Sequence, residues 1–202
     1  MKILMLWDNY GAGSPDPALP VSWLTDSCLL RDRKPLYVPD FDTDFRLFPT
    51  LAVRIDRLGK GIQAKFAHRY WQEAAVYISV RACARIETLT RAGMPLDSAV
   101  AYDNSLVASP FFPLTPEQVP GTTFCLLRNG IKELEWSGAN LKMDTAEAIQ
   151  ALSHCNTLKT GDLILLGIPR EGVPIAPGDK IQIFLKRPTD TEPQLYTEFQ
   201  VK

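Results

Sequence analysis

Two Gly-Asp pairs, Gly161-Asp162 and Gly178-Asp179, each introduce an apolar run, Leu163 to Leu166 and Ile181 to Leu185. A Pro/Gly-rich connection separates the two runs. Glycine reaches positive φ without steric cost, and a neighbouring aspartate can bond its own backbone, so each pair can turn the chain sharply into a strand. The stretch from Asn156 to Leu185 therefore reads as two strands joined by a structured loop, most simply a β-hairpin. The Gly167-Ile168-Pro169 corner leaves the first strand with a fixed φ and no spare donor. Such a corner can set backbone amides at the mouth of a pocket.

The rest of the chain repeats this pattern of short apolar runs between turns. Lys2 to Trp7 reads as a strand, followed by the Gly/Pro/Ser-rich loop DNYGAGSPDPALPVS, which is either a lid or a connection. Trp23 to Leu30 and Pro35 to Pro39 read as short extended pieces, and Leu51 to Ile55 and Ala75 to Val80 as strands. Ile62 to Trp71 reads as a short helix because Phe66 and Tyr70 share a face, and Ile86 to Ala92 as another, stopped by Gly93-Met94-Pro95. Thr123 to Arg128 and Ile131 to Trp136 flank Asn129-Gly130, the preferred type I′ hairpin turn. Asp144 with Glu147 caps a helix ending near His154, whose place suits the negative end of the helix dipole. Leu195 to Val201 alternates and is expected beside Ile181 to Leu185. With 16 prolines and 12 glycines, the expectation is a single mainly β domain with short helices (α+β), residues 1–35 forming an N-terminal strand and loop region and 36–202 the core.

Charge and composition narrow the function classes. Lys+Arg 22 against Asp+Glu 23 gives a net charge of −1, so nothing electrostatic points to nucleic acid or an anionic membrane. MKILMLWD is too short an apolar run for a secretory core or a membrane span, and a cytoplasmic protein is expected. Cys28, Cys83, Cys125 and Cys155 are scattered without a CxxC pair, which favours reduced structural thiols over disulfides or zinc. Asp40, Asp42 and Asp44 alternate as in a calcium loop, but the required Gly and Glu positions hold Phe45 and Leu51. His68 reads as a surface residue, and neither it nor His154 lies in a nucleophile-elbow context.

The segment TLKTGDLILLGIPREGVPIAPGDKIQI, residues 157–183, resembles the closing segment of the fumarylacetoacetate hydrolase family, whose members show T-L-K-x-G-D-L-I-x-x-G-T-P, then a G-D and a strand. The likeness extends back through YVPDFDTDF, VRIDRLGKGIQAKFAHRYW, the Asn-Gly hairpin and MDTAEAIQALSHCNTLK, nearly the whole chain. It implies a mixed β-roll, usually homodimeric, that cleaves, decarboxylates, isomerises or hydrates β-dicarbonyl and 2-oxo acids. It also implies Mg²⁺ or Mn²⁺ held by two Glu and one Asp.

Position by position, the resemblance implies a site stripped of those groups. The E-x-E places before LAVRI hold Phe48 and Thr50, and Asp103 falls on the third metal position. The basic position three residues before that Asp is Val100, and the upstream Arg-Asp pair falls on Cys83 and Ala84. The lid histidine position is Gly13, the lysine of F-x-K-P is Thr25, and the Thr of G-T-P is Ile168, between Gly167 and Pro169. A hard divalent cation needs several anionic oxygens, which one aspartate cannot supply. The expectation is thus a non-catalytic member without a metal cofactor, Phe48 and Ile168 filling the former cavity, Cys83 a small buried hydrophobe or a reactive thiol, and Asp103 a turn cap or a pocket group. A homodimer with a protein partner or a small carboxylated or apolar ligand is expected. The alternative is an enzyme of 2-oxo dicarboxylic acids whose Mg or Mn site has moved to Asp103 and the Asp40, Asp42, Asp44 run, or that needs no metal.

Overall fold

The computed structural model describes residues 1–31 and 34–202. Among them the strands are β1 (Lys2–Leu6), β2 (Val21–Thr25), β3 (Leu29–Leu30), β4 (Phe45–Ile55), β5 (Trp71–Ala82), β6 (Leu106–Val107), β7 (Phe112–Pro113), β8 (Thr123–Arg128), β9 (Ile131–Ser137), β10 (Leu163–Leu165), β11 (Val173–Pro174), β12 (Lys180–Lys186) and β13 (Gln194–Gln200). The helices are α1 (Cys83–Arg91), α2 (Asp97–Val100) and α3 (Thr145–Cys155), with short 3₁₀ turns between elements. The larger sheet runs β2-β1-β10-β4-β5-β6-β3, with β11 also on β4 and β7 also on β5. The smaller runs β13-β12-β8-β9. Most pairs are antiparallel, but β1–β10 and β3–β6 are parallel, so the fold is the mixed, mainly β architecture with few helices that the sequence implied.

The spine is the antiparallel pair β4–β5, in register from Phe45 opposite Ala82 to Ile55 opposite Trp71. Both strands are buried on both faces for most of their length, which is why their sequences read as nearly continuous apolar runs. Pro49 lies inside β4, where a missing N–H would normally break a ladder. The neighbouring odd-numbered residues show where that gap falls. Phe45 O accepts from Ile175 N and Leu51 O from Leu166 N, on the side facing β10 and β11. β4 pairs with β11 at Arg46 and Leu47 and with β10 at Ala52 to Arg54, so Pro49 lies between the two patches and costs no ladder bond.

The two Gly-Asp turns form as their chemistry requires, but the strands they introduce are not a hairpin. β10 sits between β1 and β4 in the larger sheet, whereas β12 sits between β13 and β8 in the smaller one. The connection carries the chain from one sheet to the other and leaves β11 on β4 as it passes. A connection of this length does not fix a register, so each run pairs where both of its faces are covered. Gly161 and Gly178 have φ of +89° and +100°. Asp162 and Asp179 each accept a backbone N–H from three residues back, Lys159 at 2.8 Å and Ala176 at 2.9 Å. Asn129 and Gly130 take φ of +54° and +80° in the β8–β9 turn, and α3 carries the reciprocal Asp144–Glu147 capping box. β13 lies beside β12, as its alternation suggests. The segment read as a helix over Ile62–Trp71 is instead a 3₁₀ turn at Ala64–Arg69, with Trp71 already opening β5. Only Ala67 of that turn is buried, and Phe66 lies outside under the side chains of Lys65 and Arg69, so no apolar face sustains a full helix.

Asp162 fastens the N-terminus of the chain to this frame. Its carboxylate accepts from Lys2 N at 3.0 Å and pairs with the Lys2 ammonium. Burial pushes its pKa up, but the Lys2 ammonium and the N–H groups of Lys2 and Lys159 outweigh that and hold it below the usual carboxylate value. A depressed folded-state pKa contributes stability that is present above the unfolded value near ~3.9 and lost as pH falls through the folded one. Asp162→Asn should therefore lower unfolding free energy by about 2 kcal/mol at neutral pH and flatten the loss of stability below about pH 4, measured by urea melts across pH.

Candidate functional site

The register of β4 on β5 sets Phe48 opposite Ser79, Thr50 opposite Tyr77 and Arg46 opposite Arg81. Side chains alternate along a strand, so Phe48, Thr50, Tyr77, Ser79 and Arg81 stand on one face of the larger sheet. The group that reaches Phe48 is the Arg81 guanidinium, with its carbon 4.5 Å from the Phe48 ring centre and 4.1 Å from that of Trp7. Trp7 is held by its own indole N–H, which donates to Ser22 Oγ at 2.7 Å. Phe48 lies against Gly172, where an added Cβ would collide with the ring.

Arg81 is 4% exposed, and among the described residues no carboxylate pairs with it. Its polar contacts are long and weak: Nε donates to Ser79 Oγ at 3.4 Å and Nη2 to Met5 Sδ at 3.6 Å. Burial pulls its pKa down to about 9, which leaves the side chain cationic at neutral pH. Ring faces attract a cation with up to about 2 kcal/mol each when desolvated, whereas burying an ion costs several kcal/mol. Trp7 and Phe48 therefore offset only part of that cost.

Thr50 and the Gly167-Ile168-Pro169 corner are buried together rather than lining a pocket mouth. Thr50 Oγ donates to Gly167 O at 2.7 Å, and the same oxygen accepts from Trp136 Nε1 at 3.3 Å. Asn9 donates to Leu166 O at 2.6 Å and accepts from Met143 N at 2.7 Å, which ties the start of the first loop to the corner. Tyr10 stacks on Trp136 at 5.5 Å and accepts from Ser137 N, so residues 9 and 10 are clamped. Ile168 and Pro169 are buried and Ile168 belongs to the core with Phe48. The expected amides at a pocket mouth are closed off because the Asn9 carbonyl and Leu141 lie directly over Gly167.

The remaining positions named from the sequence are dispersed. Val100 ends α2 and is buried, while Cys83 and Ala84 open α1 and are partly buried. Burial, with the nearby Asp44 carboxylate, pushes the Cys83 thiol up to about 11, which disfavours the thiolate form. Asp103 is exposed in a turn, and its carboxylate makes no hydrogen bond there among the described residues. Asp42 is occupied by the backbone N–H groups of Thr43, Asp44 and Arg85, the last being a cap on α1. Asp44 holds Arg46 through two oxygens. Among the described residues no three His, Cys, Asp or Glu side chains converge as a metal set. An aromatic ring, a hydroxyl bonded to a carbonyl and a guanidinium do not fit a divalent cation, which needs anionic or carbonyl oxygens. Neither Arg81 nor Trp7 was singled out from the sequence, although a lone arginine inside the apolar run AVYISVRA was the available signal.

The same sheet face opens at its other end into a cleft of about 610 Å³, lined by Arg31, Arg54, Tyr77 and Phe111 among others. No sequence motif marks it.

A family model described as fumarylacetoacetate (FAA) hydrolase C-terminal matches residues 9–193. The chain belongs to the fumarylacetoacetate hydrolase family. The oxaloacetate tautomerase YcgM of Escherichia coli strain K12 is 26% identical over 190 residues, covering 90% of this chain and 87% of that protein. The 4-hydroxyphenylacetate degradation bifunctional isomerase/decarboxylase of Salmonella dublin is 34% identical over 128 residues, 62% of this chain but only 29% of that protein. The Pseudomonas aeruginosa fumarylpyruvate hydrolase, solved in complex with Mn²⁺ and pyruvate, superposes with a TM-score of 0.84 at 18% identity, covering 100% of this chain and 89% of that one. A putative fumarylacetoacetate isomerase/hydrolase from Oleispira antarctica superposes at 0.90 with 17% identity, covering 100% of this chain and 93% of that one. These structural likenesses establish the fumarylacetoacetate hydrolase fold.

Two variants test the geometry around Arg81 and Gly167. Arg81→Met should raise unfolding free energy by about 1 kcal/mol in urea melts, because an apolar chain of similar length removes an unpaired buried charge. Gly167→Ala should lower it by about 2 kcal/mol or more, since the new Cβ would stand 2.7 Å from Asn9 O.

Proposed function

We propose that this chain is a non-catalytic member of the fumarylacetoacetate hydrolase family with a binding role, acting in the cytoplasm as a homodimer. The observation that carries this reading is the Arg81 guanidinium standing between Trp7 and Phe48, where the resemblance to the family calls for a carboxylate-held Mg²⁺ or Mn²⁺. A fixed cation in that place repels a divalent ion, and neither Phe48 nor Thr50 supplies an anionic oxygen. Without such an ion, the enolate oxygen that forms from a 2-oxo acid has no charge stabilisation, and the positions of the family's acid–base groups, Val100, Cys83 and Ala84, hold no titratable group suited to the task.

The competing reading is a metal-independent isomerase, decarboxylase or hydrolase of 2-oxo acids. It is favoured by the near full-length match to an oxaloacetate tautomerase. One pair of measurements separates the two. Calorimetric titration of the chelator-stripped protein with Mn²⁺ in the presence of oxalate should give no binding heat, and oxaloacetate enol–keto conversion should run at its background rate with and without metal. Micromolar Mn²⁺ binding or metal-dependent turnover would overturn the non-catalytic reading. Metal-free acceleration abolished by Arg81→Met would replace it with the enzymatic one.

A further inference from the structure

The cleft at the far end of the sheet face is walled by Tyr77, Phe111, Leu29 and Leu163, with Arg31 and Arg54 at its edge. Its volume, about 610 Å³, lies in the range of small-molecule sites. Tyr77 is four residues from Arg81 along β5, about 13 Å at a strand's rise, so the cleft is a separate place from the Arg81 cage.

Two features of the cleft point to a ligand. The first is the Tyr77 hydroxyl. The residue is 3% exposed and lines the cleft, and no protein group among the described residues is hydrogen-bonded to its hydroxyl. The phenol borders the cleft, so its hydroxyl is free to donate to a group bound there. The second is the charge. Arg54 is fixed in place, its guanidinium 4.4 Å over the Phe111 ring and paired with Glu73, while Arg31 is exposed at the rim. Two guanidinium groups against one carboxylate leave an excess of positive charge beside that hydroxyl, and Met1 also lines the cleft. Arg54 uses one edge for Glu73 and retains further N–H donors, since a guanidinium carries five. The Phe111 ring, 6.2 Å from that of Tyr77, adds an apolar wall for a flat body.

We propose that this cleft binds a small monocarboxylate with a planar apolar body, its carboxylate taking the Tyr77 hydroxyl and the Arg31 and Arg54 donors and its body lying along Phe111. The excess of positive charge favours an anion, and the apolar lining excludes a fully hydrated ion and favours a carboxylate with an apolar body over phosphate. The inference stands whether or not the family's chemistry runs in this chain, because it uses none of the residues at the Arg81 cage.

The test uses the full chain and ligand-observed NMR, with benzoate as probe, benzamide as its uncharged counterpart and inorganic phosphate as a competing anion. Benzoate should bind saturably with a Kd of about 1 mM or tighter, and benzamide at least about tenfold more weakly. Arg31→Gln, at an exposed position whose loss does not threaten folding, should weaken benzoate about tenfold. Tyr77→Phe should weaken it about threefold or more, and Arg91→Gln on α1 should leave it unchanged. The proposal fails if benzoate and benzamide bind alike, if phosphate displaces benzoate at equal concentration, or if Arg31→Gln and Tyr77→Phe both bind as the parent does. Loss on Arg81→Met alone would place the ligand at the other end of the sheet and overturn it. So would benzoate binding that vanishes as the chain self-associates, because a second copy would then be the occupant of the cleft.

Discussion

The long antiparallel pair β4–β5 positions nearly everything else in the molecule. Its outer edges take β10 and β11 on one side and β6 and β7 on the other, so strands distant in sequence meet along two neighbouring segments. Burial on both faces makes this pair tolerant of few substitutions and gives the sheet a fixed register, since a slip of one residue would turn Arg81 and Arg46 into the opposite core face. The same register explains why Arg81, Ser79, Tyr77, Phe48 and Thr50 share one surface. The two candidate sites are the two ends of that surface, and their separation follows from strand geometry alone.

Arg81 is the least economical choice in the fold. A buried cation with no carboxylate partner is retained against a desolvation cost that two aromatic rings meet only in part. Among relatives of the fumarylacetoacetate hydrolase family, one solved structure contains Mn²⁺ with pyruvate. In this chain Arg81 lies between the rings of Trp7 and Phe48, and Thr50 and Trp136 both hydrogen-bond Gly167 O. The family scaffold is present, and at this place on it the side chains are ring faces and a guanidinium rather than anionic oxygens.

The elements that were legible in the sequence are those whose cause is local. The Asn129-Gly130 turn, the Asp144–Glu147 cap and the two Gly-Asp turns depend on φ preferences and on side chains that reach their own backbone, and all four form where the residues put them. The helix read over Ile62–Trp71 did not form, because two aromatic residues on one face do not make a buried stripe. The hairpin read between Leu163 and Leu185 did not form either. Two apolar runs with turn signals between them state that strands exist and say nothing about which strands they join. Phe48 and Thr50 were expected to stand at one site, and the residue that packs against Phe48 there, Arg81, lies on a different strand.

Sequence by itself determined the turn chemistry, the mainly β character, the family and the lack of carboxylates at Phe48 and Thr50, because each follows from residue identity at a position or from neighbours a few residues apart. Only the tertiary structure decided that β10 and β12 part into different sheets, that the Gly167 corner is sealed by Asn9, that Arg81 sits between Trp7 and Phe48, and that Arg31, Arg54, Tyr77 and Phe111 surround one cleft. Each of these is set by strand order and register across long sequence separations, where the determining quantity is which surfaces can be buried together.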